Sequence, residues 1–162
     1  MKSNHAGIGA FMGIMLIMAG GLLAQDSPSG QMMKLPESQT MVASAYGFND
    51  TVELLTVAIE EQNLMVLKEI NAQQMLKMVN MQVKGMKQLL FFHPRYMKKI
   101  MQANPMGSIE PPLKIAIMER PDGGVVVKYI RPSFLLGKYE GLSDIGIELD
   151  DILETIASAV KK

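Results

Sequence analysis

His93, Met97 and Met101, in the stretch HPRYMKKIM, are the residues whose types and spacing best suit chemistry. Pro94 fits the first turn of a helix, where its missing N–H removes no hydrogen bond. A helix starting there puts the three at i, i+4 and i+8, on one face. Imidazole and thioether donors suit Cu(I), and a His/Met pair can hold haem iron. Copper or haem is therefore the cofactor these residues would take. A second series, Met75, Met78 and Met81, has i, i+3, i+6 spacing. The competing reading is packing, because Met is unbranched and fills irregular gaps. The chain holds 16 Met, and the bias extends to Met12, Met15 and Met18 near the N-terminus. His93, directly before Pro94, also stands where a helix N-cap belongs.

Glu119 and Tyr129 are the candidates for a ligand pocket, since they fall on two strands of an expected hairpin and would share a hollow if both point the same way. Glu60-Glu61 and Asp150-Asp151 are sequence neighbours and splay around their helices instead of forming a carboxylate dyad. No Gly-x-Ser-x-Gly elbow, His-Glu-x-x-His or phosphate-cradling Gly-Lys-Ser/Thr loop occurs in the domain. A Ser–His–Asp triad would have to use His93. No catalytic residue is assigned on this basis. A non-enzymatic binding or assembly domain is the first reading. Soft-metal or haem handling through His93, Met97 and Met101 is the second. An enzyme of unrecognised type, with Glu119, Tyr129 and His93 near one pocket, is the third.

Composition narrows the field. The chain has 162 residues, no Cys and no Trp. Without Cys there are no disulfides, no thiol redox chemistry and no covalent c-type haem. The formal net charge is +0, so no global field draws the protein to nucleic acid. Charge is unevenly placed all the same. Between Glu69 and Glu110 there is no acidic residue, while Lys77, Lys84, Lys87, Arg95, Lys98 and Lys99 fall in that interval. Glu140, Asp144, Glu148, Asp150, Asp151 and Glu154 crowd the C-terminal region. Either the two regions face each other, within one molecule or across a dimer, or the basic block receives an anionic ligand or lipid headgroup; solvated, loosely complementary faces are the preferred reading.

Three segments must carry these residues. Residues 8–24, IGAFMGIMLIMAGGLLA, form an uncharged apolar run after a short polar start with Lys2. That order predicts a signal peptide cleaved near Ala24, or a retained inner-membrane anchor. Either places the protein in the periplasm or otherwise outside the cytoplasm. Residues 25–38, rich in Ser, Pro, Gly and Gln, read as a flexible tether. The domain spans 39–162, a length sufficient for one core.

Within the domain, strands are expected at 40–46, 64–70, 86–92, 113–119 and 125–130. Helices are expected after Asp50, at 72–80, from Pro94 to about Ala103, briefly within 133–139, and at about 145–160. Asp50 with Glu53 reads as a capping box. The first helix should bury Val52, Leu55, Val57 and Ile59. The last, capped by Ser143 or Asp144, should bury Ile145, Leu149, Ile152, Ile156 and Ala159. Pro121-Asp122-Gly123-Gly124 marks a hairpin. Helices alternating with strands and ending in a hairpin give an α+β fold, a largely antiparallel sheet of about five strands with helices packed on it.

From Pro94 to Pro132 the chain resembles the DUF302 family of small α+β domains. The matching residues are Pro94, Pro105, Gly107, Pro112, Glu119, the Asp122-Gly123-Gly124 turn, Tyr129 and Pro132. His93 stands where the family tends to have Asn, and Pro111 where it tends to have Leu. The resemblance spans about residues 40–160. It implies the α+β fold and self-association, with a homodimer as the expected partner arrangement, and it brings no catalytic residues.

Overall fold

The computed structural model describes residues 35–161. The expected leader or anchor at 1–24, and the tether up to residue 34, lie outside the described residues. Among the described residues no helix is long and apolar enough to cross a membrane.

The elements run β1 (Gln39–Ser44), α1 (Phe48–Glu61), β2 (Met65–Asn71), α2 (Ala72–Met78), β3 (Met86–Phe92), α3 (Pro94–Ala103), a 3-10 turn (Pro105–Ile109), β4 (Leu113–Glu119), β5 (Val125–Ile130), α4 (Pro132–Leu136) and α5 (Ser143–Ser158). The five strands form one sheet in the order β1-β5-β4-β3-β2, with every neighbouring pair antiparallel. The α+β architecture is as the sequence predicts.

Side chains alternate across a strand, so one parity of each strand shares a face. On one face lie Leu89 and Phe91 of β3, Leu113, Ile115 and Ile117 of β4, Val125, Val127 and Tyr129 of β5, and Val42 of β1, all buried. Leu55 and Ile59 of α1, Tyr96 and Ile100 of α3, and Leu149, Leu153 and Ile156 of α5 complete this core. Fully burying an aliphatic side chain of this size contributes about 1.5–3 kcal/mol, so this single layer of contacts dominates stability. At the β4–β5 hairpin, Gly123 adopts φ +87, which only glycine takes without strain. The turn closes with the Arg120 N–H donating to the Gly124 carbonyl at 2.7 Å.

Two local details differ from expectation. α1 starts at Phe48 after Gly47, so Asp50 lies inside the first turn and no side chain caps the helix. Thr51 draws the start forward. Its backbone N–H and its hydroxyl both donate to the Gly47 carbonyl, at 2.9 and 2.8 Å. With that phasing Val57 points outward and is 47% exposed. In α5 the buried set is Gly146, Leu149, Leu153, Ile156 and Ala157, with Ala159 exposed and Ile145 and Ile152 only partly covered. The cause is α4. A Cβ on Gly146 would lie 2.7 Å from Ser133 Cα, so the helix turns its glycine, not Ile145, toward the closest crossing.

Candidate functional site

All the helices that contribute to the core lie on one side of the sheet. The strand residues of the other parity therefore form a second face. Its composition follows from the register. Lys68 pairs with Leu90 and Leu90 with Lys114; one residue beyond the Ile115–Tyr129 pair, Lys114 lies beside Ile130, which pairs with Gln39. The next row is Ile70, Gln88, Ala116, Lys128 and Met41. The third is Met86, Met118, Val126 and Ala43. Lys68 and Lys114 are exposed and Lys128 is half-buried. Met41 is 48% exposed. The strand residues of this face include three lysines and no carboxylate. None of the ion pairs among the described residues uses Lys68, Lys114 or Lys128.

Lys114 and Lys128 are diagonal neighbours on adjacent strands, roughly 7–8 Å apart at their backbones. Lys68 stands two strands from Lys114, about 10 Å away. Two flexible ammonium groups at that separation can converge on one anion. Between them is a shallow groove of about 230 Å³ lined by Gln39, Gln88, Lys114, Ala116, Met118, Lys128, Tyr129 and Ile130. A second hollow of about 210 Å³ adjoins it where α4 meets the start of β4. It is lined by Glu110, Pro112, Leu113, Lys114, Ile130 and Leu135. Glu110 is engaged, because its Oε1 accepts a hydrogen bond from the Tyr139 hydroxyl at 2.8 Å. That bond raises the Tyr139 pKa above the usual tyrosine value.

The residues singled out from sequence are placed as follows. His93 is the N-cap of α3, its Nδ1 accepting from the Arg95 N–H at 3.0 Å, which leaves Nε2 as its uncommitted ring nitrogen. Met97 packs against the core while Met101 is 48% exposed. Met75, Met78 and Met81 are all exposed, and no residue of α2 is buried. Met78 and Met81 line a surface hollow of about 630 Å³ with Asn71, Gln74 and Lys77.

Glu119 and Tyr129 share the helix-facing parity, but Glu119 pairs with Val125 and Tyr129 with Ile115. That offset separates them by roughly 13 Å along the strands. Glu119 is occupied by its neighbours. Its Oε2 accepts the Gly85 N–H at 3.2 Å, and its Oε1 lies 3.7 Å from Lys84 Nζ. Tyr129 is buried beneath α5. Burial first, then the nearby Glu154 and Asp150 charges, raise its pKa, against a lowering hydrogen bond with Thr40.

The basic interval and the acidic C-terminal region meet inside one chain. Lys99 Nζ lies 2.7 Å from Glu148 Oε2, and the Tyr96 hydroxyl donates to Glu148 Oε1 at 2.8 Å. Arg95 and Lys99 flank the Tyr96 ring at 4.9 and 5.1 Å from its centroid. The hydrogen bonds from Lys99 and then Tyr96 hold the Glu148 carboxyl below its ordinary pKa. This cluster fastens α3 to α5.

Comparison with known proteins follows the same division between fold and activity. Residues 40–162 match the family described as "Domain of unknown function DUF302". No curated protein matches the chain. Among solved structures, the chain is similar to the uncharacterized conserved protein DUF302 from Bacillus stearothermophilus, at 17% identity and a TM-score of 0.72. The likeness covers 78% of this chain and 100% of that one, and it shows the fold.

Proposed function

The chain belongs to the DUF302 family, and we propose that its domain is a non-enzymatic binding module that receives an anionic partner on the sheet face opposite the core helices, at Lys114 and Lys128. The observation that carries this reading is the composition of that face. Lysines placed over an apolar floor contribute little to folding, and an exposed patch rimmed by polar groups is the usual mark of an interaction site. With no carboxylate among its strand residues, the face presents positive charge that attracts anions and speeds their encounter. The reading includes an extracytoplasmic setting, which the apolar sequence of residues 8–24 supports.

The test uses 1-anilinonaphthalene-8-sulfonate, a probe with one sulfonate and an apolar body. The wild-type protein should bind it with a fluorescence rise, and Lys114→Gln/Lys128→Gln should bind at least tenfold more weakly. Equal affinity of the two proteins would remove the sheet face as the site.

A further inference from the structure

Building on the reading of the sheet face as an anion site, we infer that its ligand is a single medium-chain anionic amphiphile. Its carboxylate or phosphate head lies between Lys114 and Lys128, and its alkyl chain crosses Ile130 into the hollow beside Leu135. The two hollows share Lys114 and Ile130 as their common wall and differ in chemistry. The first presents ammonium and amide groups from Lys114, Lys128, Gln39 and Gln88, which donate hydrogen bonds to an anion.

The second is walled by Pro112, Leu113, Ile130 and Leu135. Its one carboxylate, Glu110, is turned to the Tyr139 hydroxyl. Lys114 suits the boundary, because a lysine stem lies along apolar surface while its head reaches a polar region. A headgroup-sized polar site joined to an apolar slot selects a molecule with the same division. A small inorganic anion would leave the slot unfilled. A purely apolar ligand would leave the ammonium groups without a counter-charge.

The slot also sets the chain length. If each methylene takes about the 30 Å³ share of a water molecule, a hollow of 210 Å³ accommodates about seven. Affinity should therefore rise with chain length and then level off. Burying one methylene corresponds to roughly a three- to fourfold gain.

The experiment titrates the full chain with sodium butanoate, hexanoate, octanoate, decanoate and dodecanoate, each below its micelle concentration, by displacement of the fluorescent sulfonate. Vesicles of phosphatidylglycerol and of phosphatidylcholine run in parallel. The expected result is a steep rise in affinity to about eight to ten carbons and a plateau beyond. Ile130→Asn, at an exposed position, should flatten the series. Equal affinity along the series, with the sulfonate still bound in a lysine-dependent way, would overturn the amphiphile and leave the anion site standing. Loss of both would remove the two together. Binding to phosphatidylglycerol vesicles without binding to the monomeric carboxylates would overturn the single-molecule ligand in favour of a bilayer surface.

Discussion

Glu148 accepts from two donors on α3 at once, and this makes one carboxylate a reporter for the α3–α5 contact. Because its folded pKa is lowered, its contribution to stability is present above the ordinary carboxylate range. That contribution is lost as pH falls through the folded value. The side chain is half exposed, so the effect stays within about 1 kcal/mol. Thermal melts between about pH 6 and about pH 3 should show Glu148→Gln losing less stability on acidification than the wild type. Tyr96 runs the other way. Burial, then its bond to Glu148, raises its pKa, so its contribution persists below the ordinary tyrosine value near 10 and falls as pH rises through the folded value. His93 shows how a chemically capable residue is used by the backbone. Its Nδ1 satisfies a helix N-terminal N–H, the role its place before Pro94 predicts.

At the scale of elements, α4 and α5 pack backbone against backbone at Ser133 and Gly146. Ser133 connects them, with its N–H donating to Asp150 Oδ1 at 2.9 Å and its hydroxyl bonded to Asp150 Oδ2. Gly146 lies against the Ser133 backbone, where a methyl group has no room. Gly146→Ala should therefore destabilise the protein by about 1–3 kcal/mol despite alanine's better helix propensity, because a backbone neighbour must move. Urea denaturation measures this, and a neutral or stabilising result would mean the two helices separate freely. The same crossing explains why the apolar stripe of α5 is turned from its sequence-predicted direction. Periodicity gives the existence of a stripe but not which partner passes closest.

Among the described residues, one sheet face is sealed by helices, and the other carries Lys68, Lys114 and Ile130 exposed with Val126 buried. The lysines of that second face make no ion pair among the described residues. Lys114→Gln/Lys128→Gln should change unfolding free energy by no more than about 0.5 kcal/mol, as is usual for surface positions. Binding of the sulfonate probe to the wild type should weaken as salt is raised, since exposed charges are screened within about 10 Å at 0.1 M. Salt-independent binding together with a destabilised variant would mean the lysines support the fold instead.

The sequence by itself determined the order and type of the elements. β3, α3, β4 and β5 fall at their predicted bounds because each is marked by local chemistry: alternating apolar residues, a proline in the first helical turn, and the Pro-Asp-Gly-Gly turn between β4 and β5. The α+β class followed from that order. The site was a different matter. Lys68, Lys114 and Lys128 are isolated in sequence, each flanked by apolar strand residues, and the obvious basic run lay elsewhere, at 77–99. Only the antiparallel register sets Lys68 and Lys114 in one row and Lys128 diagonally from Lys114, and only the packing of the core helices puts that row on the face opposite them. Glu119 and Tyr129 mark the converse. Their spacing permitted a shared hollow, but pairing fixes them at separate levels of the hairpin. Local periodicity is set by residues a few positions apart, whereas a site on a sheet is set by which strands become neighbours, and that is decided by burial across the whole chain.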